Sequence, residues 1–114
     1  QHLFKKLIKM MKFFLLTLAS LTAGASAAVL SLTPDNFAAS TEGKTVFLKF
    51  FAPWCGHCKS MAADWEKLAG DWADDAVGVV AEVDCTAEGK PLCDANEVKG
   101  FPTIKYGDPS DLQD

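Results

Sequence analysis

Two apolar runs and one amphipathic stretch dominate the pattern of residues 28–114. Residues 45–51 and 77–83 are rich in β-branched and other apolar side chains, which is typical of strands buried on both faces of a sheet. Between them, four large apolar residues recur at helical spacing, namely Met61, Trp65, Leu68 and Trp72. This spacing predicts an amphipathic helix that starts near residue 59 and packs its apolar stripe on the core.

Shorter segments complete an alternation of strands and helices. Residues 30–32 predict a strand, and residues 103–106 predict the last strand. Short helices are predicted around residues 36–39 and within residues 89–96. The order β-α-β-α-β-α-β predicts an α/β domain whose strands are at least partly parallel.

The first 27 residues have the composition of a secretory leader. Four lysines precede an apolar run at residues 13–21, and a group of small residues ends at Ala27. These are the three parts of a signal peptide. We therefore expect residues 1–27 to be a signal peptide with an upstream extension, cleaved after Ala27, and residues 28–114 to form one domain. The alternative is a membrane anchor, because residues 13–32 carry no charge over the ~20 residues that span a bilayer.

Composition excludes two classes of protein. A chain of 114 residues has the length of one domain, and 49% hydrophobic residues are too many for a disordered chain. The 11 lysines and 15 acids give a net charge of −4, but four of the lysines lie in the leader. Residues 28–114 therefore hold seven lysines and fifteen acids, a net charge of −8. This acidity argues against nucleic-acid binding, which needs a basic face.

Cys55 and Cys58 stand where a predicted strand leads into the predicted amphipathic helix. A helix N-terminus presents unpaired N–H groups and a partial positive charge, which stabilise a thiolate at Cys55. Cys58, one turn later, faces the same sulfur and can resolve a mixed disulfide. Gly56 and His57 lie between them, and His57 can add a positive charge. Because a stabilised thiolate favours the dithiol, we expect the pair to act as an oxidant or isomerase.

Two other interpretations of this cysteine pair are weaker. A zinc site needs four ligands, commonly from two paired arms, but Cys85 and Cys93 are eight residues apart and the chain has two histidines. A purely structural disulfide within the pair closes a ring so small that it constrains little chain entropy. We therefore expect thiol chemistry that uses no metal and no cofactor.

Two segments resemble the signatures of a known family. Residues 50–59, FFAPWCGHCK, resemble the active-site segment of protein disulfide isomerases, in their catalytic thioredoxin-like domains. Residues 100–103, GFPT, resemble the cis-proline loop that faces the dithiol in that family. The resemblance implies a thioredoxin-like fold, with Cys55 as the nucleophile and Cys58 as the resolving thiol.

The same resemblance implies how a substrate is bound. Trp54 forms part of the rim of the site. A cis peptide bond before Pro102 leaves backbone groups of Phe101 free to pair with a substrate strand. The alternative for Pro102 is an ordinary proline at the start of a strand.

One departure from the family pattern concerns a buried charge. The family usually has an acid six residues before the first cysteine, where this chain has Lys49, and commonly a lysine on the neighbouring strand, where this chain has Glu82. A facing pair keeps both charges compensated. We expect Glu82 to accept the proton of Cys58, directly or through water, and Lys49 to be its counter-ion. The alternative is that both side chains reach solvent at strand edges.

Cys85 and Cys93 resemble a cysteine pair that some members of the family carry. An oxidising compartment favours closure of this pair into a structural disulfide. The alternative is two buried, reduced thiols that act as small hydrophobic side chains.

The function that the resemblance implies is thiol–disulfide exchange in the lumen of the endoplasmic reticulum. The expected enzyme forms and rearranges disulfides in unfolded or misoxidised secretory proteins, with a thiol oxidase or glutathione as redox partner. No nucleic acid, and no membrane in the mature form, is expected as a partner. The alternative is a non-catalytic thioredoxin-like chaperone module that binds unfolded chains. Because the sequence stops at Asp114, we expect the fold to lack its final antiparallel strand and helix.

Overall fold

A computed structural model of the chain describes residues 29–114, together with residues 2 and 3. The helices and strands of residues 29–114 are, in order, β1 (Leu30–Ser31), α1 (Phe37–Thr41), β2 (Thr45–Phe51), α2 (Gly56–Asp71), β3 (Gly78–Asp84), α3 (Lys90–Ala95), β4 (Thr103–Asp108) and β5 (Asp111–Gln113). The predicted signal peptide lies outside the described residues, apart from residues 2 and 3. Within the described ranges, no helix is both long and apolar enough to span a bilayer.

The five strands form one mixed sheet in the order β1-β3-β2-β4-β5. Strands β1, β3 and β2 run parallel, whereas β4 is antiparallel to β2 and β5 is antiparallel to β4. Helix α2 forms the crossover that two adjacent parallel strands, β2 and β3, require. The predicted α/β class with a partly parallel, thioredoxin-like sheet is confirmed.

Strand β2 lies in the middle of the sheet, and both of its faces are covered. On one face, three apolar side chains are buried in the main core cluster, namely Val46, Leu48 and Phe50. On the other face, the ring of Phe47 stacks on Trp65 of α2 with 5.0 Å between centroids. The indole Nε1 of Trp65 donates a hydrogen bond of 3.3 Å to the carbonyl of Ala81 in β3. These contacts hold α2 against the sheet and thereby fix its first turn just beyond the end of β2.

The apolar stripe predicted on α2 is only partly buried. Trp65 is 4% exposed, whereas Trp72 is 46% exposed. Helix α2 ends at Asp71 and Trp72 is its C-cap residue, so its indole does not continue the stripe into the core. The prediction that all four residues pack in the core is therefore wrong at Trp72.

The expectation that the final antiparallel strand is missing is also wrong. Strand β5 pairs with β4 through a two-residue connection, with Asp108 opposite Asp111. The Oδ1 atom of Asp108 accepts hydrogen bonds from the N–H (2.8 Å) and the hydroxyl (2.6 Å) of Ser110, which close the turn. Gly107 precedes the turn with a φ of 110°, a conformation that glycine adopts without strain. Leu112 then packs against the main core cluster, which explains why so short a strand forms.

A disulfide joins the region after β3 to α3. Cys85 and Cys93 are both buried, and their sulfur atoms are 2.05 Å apart. The backbone N–H of Cys85 also donates to the carbonyl of Phe51, at the end of β2. The disulfide is thus attached to the strand that leads into α2.

Replacing both cysteines, as Cys85→Ala with Cys93→Ala, should lower the free energy of unfolding by about 2–3 kcal/mol. The disulfide restricts the unfolded chain across a separation of eight residues, and a loop of this size gives a benefit of that order. Urea unfolding of the oxidised protein measures the change. A reductant should destabilise the wild type more than the double variant, and an equal effect on both proteins would contradict the prediction.

Candidate active site

Cys55 is the residue at which the loop after β2 becomes helix α2. Its backbone is extended (φ −71°, ψ 123°), and its sulfur accepts a hydrogen bond of 3.3 Å from the backbone N–H of Cys58. The N–H of Cys55 itself donates to the carbonyl of Ala52, a buried residue directly after the strand. Cys55 is therefore an N-cap residue whose capping acceptor is a sulfur instead of the usual oxygen.

The loop that contains Pro102 lies against this sulfur. The peptide bond between Phe101 and Pro102 is cis. The thiol of Cys55 donates to the carbonyl of Phe101 across 3.5 Å, although 46 residues separate the two in the chain. The resemblance implied that backbone groups of Phe101 are free, but this carbonyl accepts a hydrogen bond from Cys55 while the Cys55 thiol is protonated.

The sulfur atoms are recessed below an exposed, partly aromatic rim. Cys55 is 8% and Cys58 is 4% exposed, and neither forms a disulfide. Trp54 is 69% exposed, and its ring meets the ring of Phe101 edge-on at 5.8 Å. Gly56 and His57 are also exposed. The Cys55 sulfur therefore lies below the level of this rim.

The local hydrogen bonds give the two thiols different acidities. A hydrogen bond from the Cys58 side chain holds the pKa of Cys55 below its ordinary value, against the effect of burial, and the backbone N–H groups of Cys58 and His57 act in the same direction. Burial raises the pKa of Cys58, as does its hydrogen bond to Cys55, while the backbone of Ala52 and the charge of Lys49 oppose the rise. Cys55 is therefore the more acidic of the two thiols, and Cys58 the less acidic.

Lys49 and Glu82 face each other across β2 and β3, as their register requires. The Nζ atom of Lys49 lies 3.3 Å from Oε2 of Glu82, and the two side chains are 4% and 22% exposed. The same Nζ lies over the rings of Phe51 and Trp65, at 5.2 Å and 5.5 Å from their centroids. The alternative that both side chains reach solvent is thus wrong for Lys49.

A cavity of about 370 Å³ is lined by this ion pair and by Cys58. Lys49 and Glu82 line one part of it, and Cys58 lines another. Its remaining lining residues are Val29, Phe51, Ala52, Pro53, Lys59, Ala62 and Glu66. Sequence analysis missed the aromatic cage of Phe51 and Trp65, although Phe51 is two positions from Lys49 on the same strand and so points to the same face.

The second pair of cysteines is not part of this site. Cys85 and Cys93 belong to the main core cluster, whereas Cys55 and Cys58 belong to a second cluster with Ala52. In the disulfide state they have no thiolate to offer a metal ion. Over residues 29–114, with residues 2 and 3, no group of three or more potential ligands could hold a metal ion.

Comparison with known proteins places this geometry in a family. Residues 28–113 match the thioredoxin family. The chain is 52% identical over 98 residues to the protein disulfide-isomerase-like protein EhSep2 of Emiliania huxleyi, covering 84% of this chain and 44% of that protein. It is also 52% identical over 85 residues to protein disulfide-isomerase 1 of Dictyostelium discoideum, covering 72% and 23% of the two chains. The chain thus spans less than half the length of these relatives.

Solved structures agree with these matches. The first thioredoxin domain of mouse protein disulfide-isomerase A4 is 33% identical, with a TM-score of 0.65 over 82% of this chain and 74% of that chain. The first two thioredoxin domains of Saccharomyces cerevisiae Eps1p give a TM-score of 0.69 at 23% identity, over 80% and 35% of the two chains. At 23% identity, the similarity to Eps1p shows only that the two folds are alike.

In the reduced protein, Cys55 should react with iodoacetamide at a lower pH than an ordinary thiol, and Cys58 only at a higher pH. Because the Cys58 side chain is the main donor to Cys55, Cys58→Ala should raise the pKa of Cys55 further than Cys58→Ser, which keeps a hydroxyl donor. Peptide mass spectrometry of samples alkylated at a series of pH values measures both shifts. Identical profiles for the alanine and serine variants would contradict the role given to the Cys58 side chain.

Proposed function

The chain belongs to the thioredoxin family, and we propose that it is a thiol–disulfide oxidoreductase and isomerase of the endoplasmic reticulum lumen. Its clients are unfolded or misoxidised secretory proteins, and a thiol oxidase or glutathione is its redox partner. The observation that carries this proposal is the position of the Cys55 sulfur. It caps α2, 3.3 Å from the N–H of Cys58, and lies 3.5 Å from the carbonyl of Phe101 in the cis-proline loop.

The exchange reaction follows from the different acidities of the two thiols. The thiolate of Cys55 attacks one sulfur of a client disulfide, and that S–S bond breaks with its electron pair on the other client sulfur. Cys58 then loses its proton and attacks Cys55. A Cys55–Cys58 disulfide forms, and the client sulfur leaves as a thiolate. In the reverse direction the same steps oxidise a client dithiol, and the redox partner restores the Cys55–Cys58 disulfide.

The surroundings of Cys55 favour an extended client segment. Trp54 and Phe101 offer an aromatic surface next to the sulfur. When Cys55 ionises, it can no longer donate to the carbonyl of Phe101, so this oxygen becomes free to accept an N–H from the client backbone. Only a segment without its own secondary structure has such an N–H to spare, which suits unfolded proteins.

Two features support the secretory compartment. The disulfide between Cys85 and Cys93 is of a kind that persists in oxidising compartments and is rare in the cytosol. The leader predicted for residues 1–27 has the composition of a secretory signal peptide.

Refolding of a client with scrambled disulfides tests the proposal. Wild type should accelerate the recovery of native disulfides, and Cys55→Ser should reduce the rate to that without the protein, because no nucleophile remains. Cys58→Ser should accumulate a mixed disulfide between Cys55 and the client, visible on a non-reducing gel. The matched control, Cys85→Ala with Cys93→Ala, should keep the activity at temperatures where it stays folded.

One combination of results would instead favour the alternative of a non-catalytic chaperone module. A Cys55→Ser variant that still suppresses client aggregation as wild type does, together with a wild type that leaves client disulfides unchanged, would contradict the oxidoreductase proposal.

A further inference from the structure

Building on the proposed function, we propose that Lys49 is a positioning residue for the resolving step, whose buried ammonium stabilises the thiolate of Cys58. This reverses the division of roles expected from the sequence, in which Glu82 accepts the proton and Lys49 only balances its charge. The proposal stands on the burial of Lys49, on its ion pair and on the cavity that it shares with Cys58.

The ammonium of Lys49 is held inside the protein and cannot turn to solvent. Its side chain is 4% exposed. The ammonium lies over the rings of Phe51 and Trp65 and forms an ion pair with Glu82. The anion and the two aromatic faces replace part of the water that a buried ammonium loses. The site therefore contains a fixed positive charge at a low local dielectric, where charges act over longer distances than in water.

Four charged side chains line the cavity on which Cys58 opens, and they differ in exposure. Lys59 and Glu66 are exposed, so solvent and salt screen their effect on the cavity. Glu82 is intermediate, and its Oε2 is already bound to Lys49. Lys49 is the one buried charge among the four. Cys55 also faces Cys58, since its sulfur accepts the hydrogen bond from the N–H of Cys58.

The resolving step needs such a charge because Cys58 is itself buried. Burial raises the pKa of Cys58, and Lys49 acts in the opposite direction. In the step itself, the proton of Cys58 passes to water, and the sulfur is left as a thiolate at the cavity that Lys49 also lines. The thiolate attacks Cys55, the bond between the two cysteines forms, and the client sulfur leaves with the electron pair of the mixed disulfide.

A chromogenic aryl disulfide, 5,5′-dithiobis(2-nitrobenzoate), separates this step from the preceding one. Attack of Cys55 on the reagent releases one nitrothiophenolate, and attack of Cys58 on the resulting mixed disulfide releases the second. Stopped-flow absorbance over a series of pH values gives both rates for the whole chain. The first phase reports the nucleophile, so its absence in wild type would mark failure of the proposed function and not of this inference.

Lys49→Met should leave the first phase unchanged and move the pH profile of the second phase to higher pH. A shift of one pKa unit would slow resolution about tenfold at pH 7. Lys49→Arg should recover most of the rate, because the positive charge remains. Glu82→Gln should leave resolution at pH 7 as fast as in wild type or faster, since the charge of Lys49 is then no longer offset.

The double variant, Lys49→Met with Glu82→Gln, removes both charges at once and keeps the test valid if an unpaired Glu82 unfolds the single variant. It should resolve as slowly as Lys49→Met. A second phase that is unchanged in this double variant overturns the proposal. So does a Glu82→Gln variant that slows the second phase as much as Lys49→Met, because that result makes Glu82 the proton acceptor.

Discussion

The hydrogen bond from the N–H of Cys58 to the sulfur of Cys55 is the interaction on which the rest of the site depends. It requires Cys55 to cap α2, and this in turn requires that α2 start directly after β2. Stacking of Phe47 on Trp65 holds the helix on the sheet, while the N–H of Cys85 fixes the end of β2 at Phe51. The packing of the core therefore places the sulfur of Cys55 at the N-terminus of α2.

Burial acts to raise the pKa of both cysteines, but the hydrogen bonds around the two sulfur atoms differ. At Cys55, the hydrogen bond from the Cys58 side chain, together with the backbone N–H groups of Cys58 and His57 at the helix start, outweighs this effect and lowers the pKa. Cys58 has fewer such donors, and burial dominates there. A protein that hides its resolving thiol needs a charge to help ionise it, and in this fold the nearby sheet presents a buried lysine. The ion pair with Glu82 offsets the cost of burying that lysine, but it does not cancel the positive potential of the lysine at nearby groups.

Sequence reasoning predicted what depends on local order. The strand–helix junction around Cys55 and Cys58 follows from the apolar run of residues 45–51 and from the helical spacing of large apolar residues after it, and the strand that begins at residue 103 was also predicted. The three residues of β5 are too few to show the alternation that predicts a strand. Only Leu112 among them is apolar, and the residues that it packs against lie elsewhere in the chain. The exposure of Trp72 depends on where α2 ends, and the contact between Cys55 and Phe101 joins residues 46 positions apart. Long-range packing decides such features, and only the resemblance of residues 100–103 to a known family indicated that the Pro102 loop faces the dithiol.

The reduction potential of the Cys55–Cys58 couple tests the central claim most directly, namely that the helix terminus stabilises the dithiol through the Cys55 thiolate. The protein is equilibrated with mixtures of reduced and oxidised glutathione, and the free dithiol is counted after alkylation. A stabilised dithiol predicts an oxidising couple, near the value of about −180 mV known for protein disulfide isomerase. A value near the about −270 mV of thioredoxin would contradict the claim, since the couple would then be a reductant.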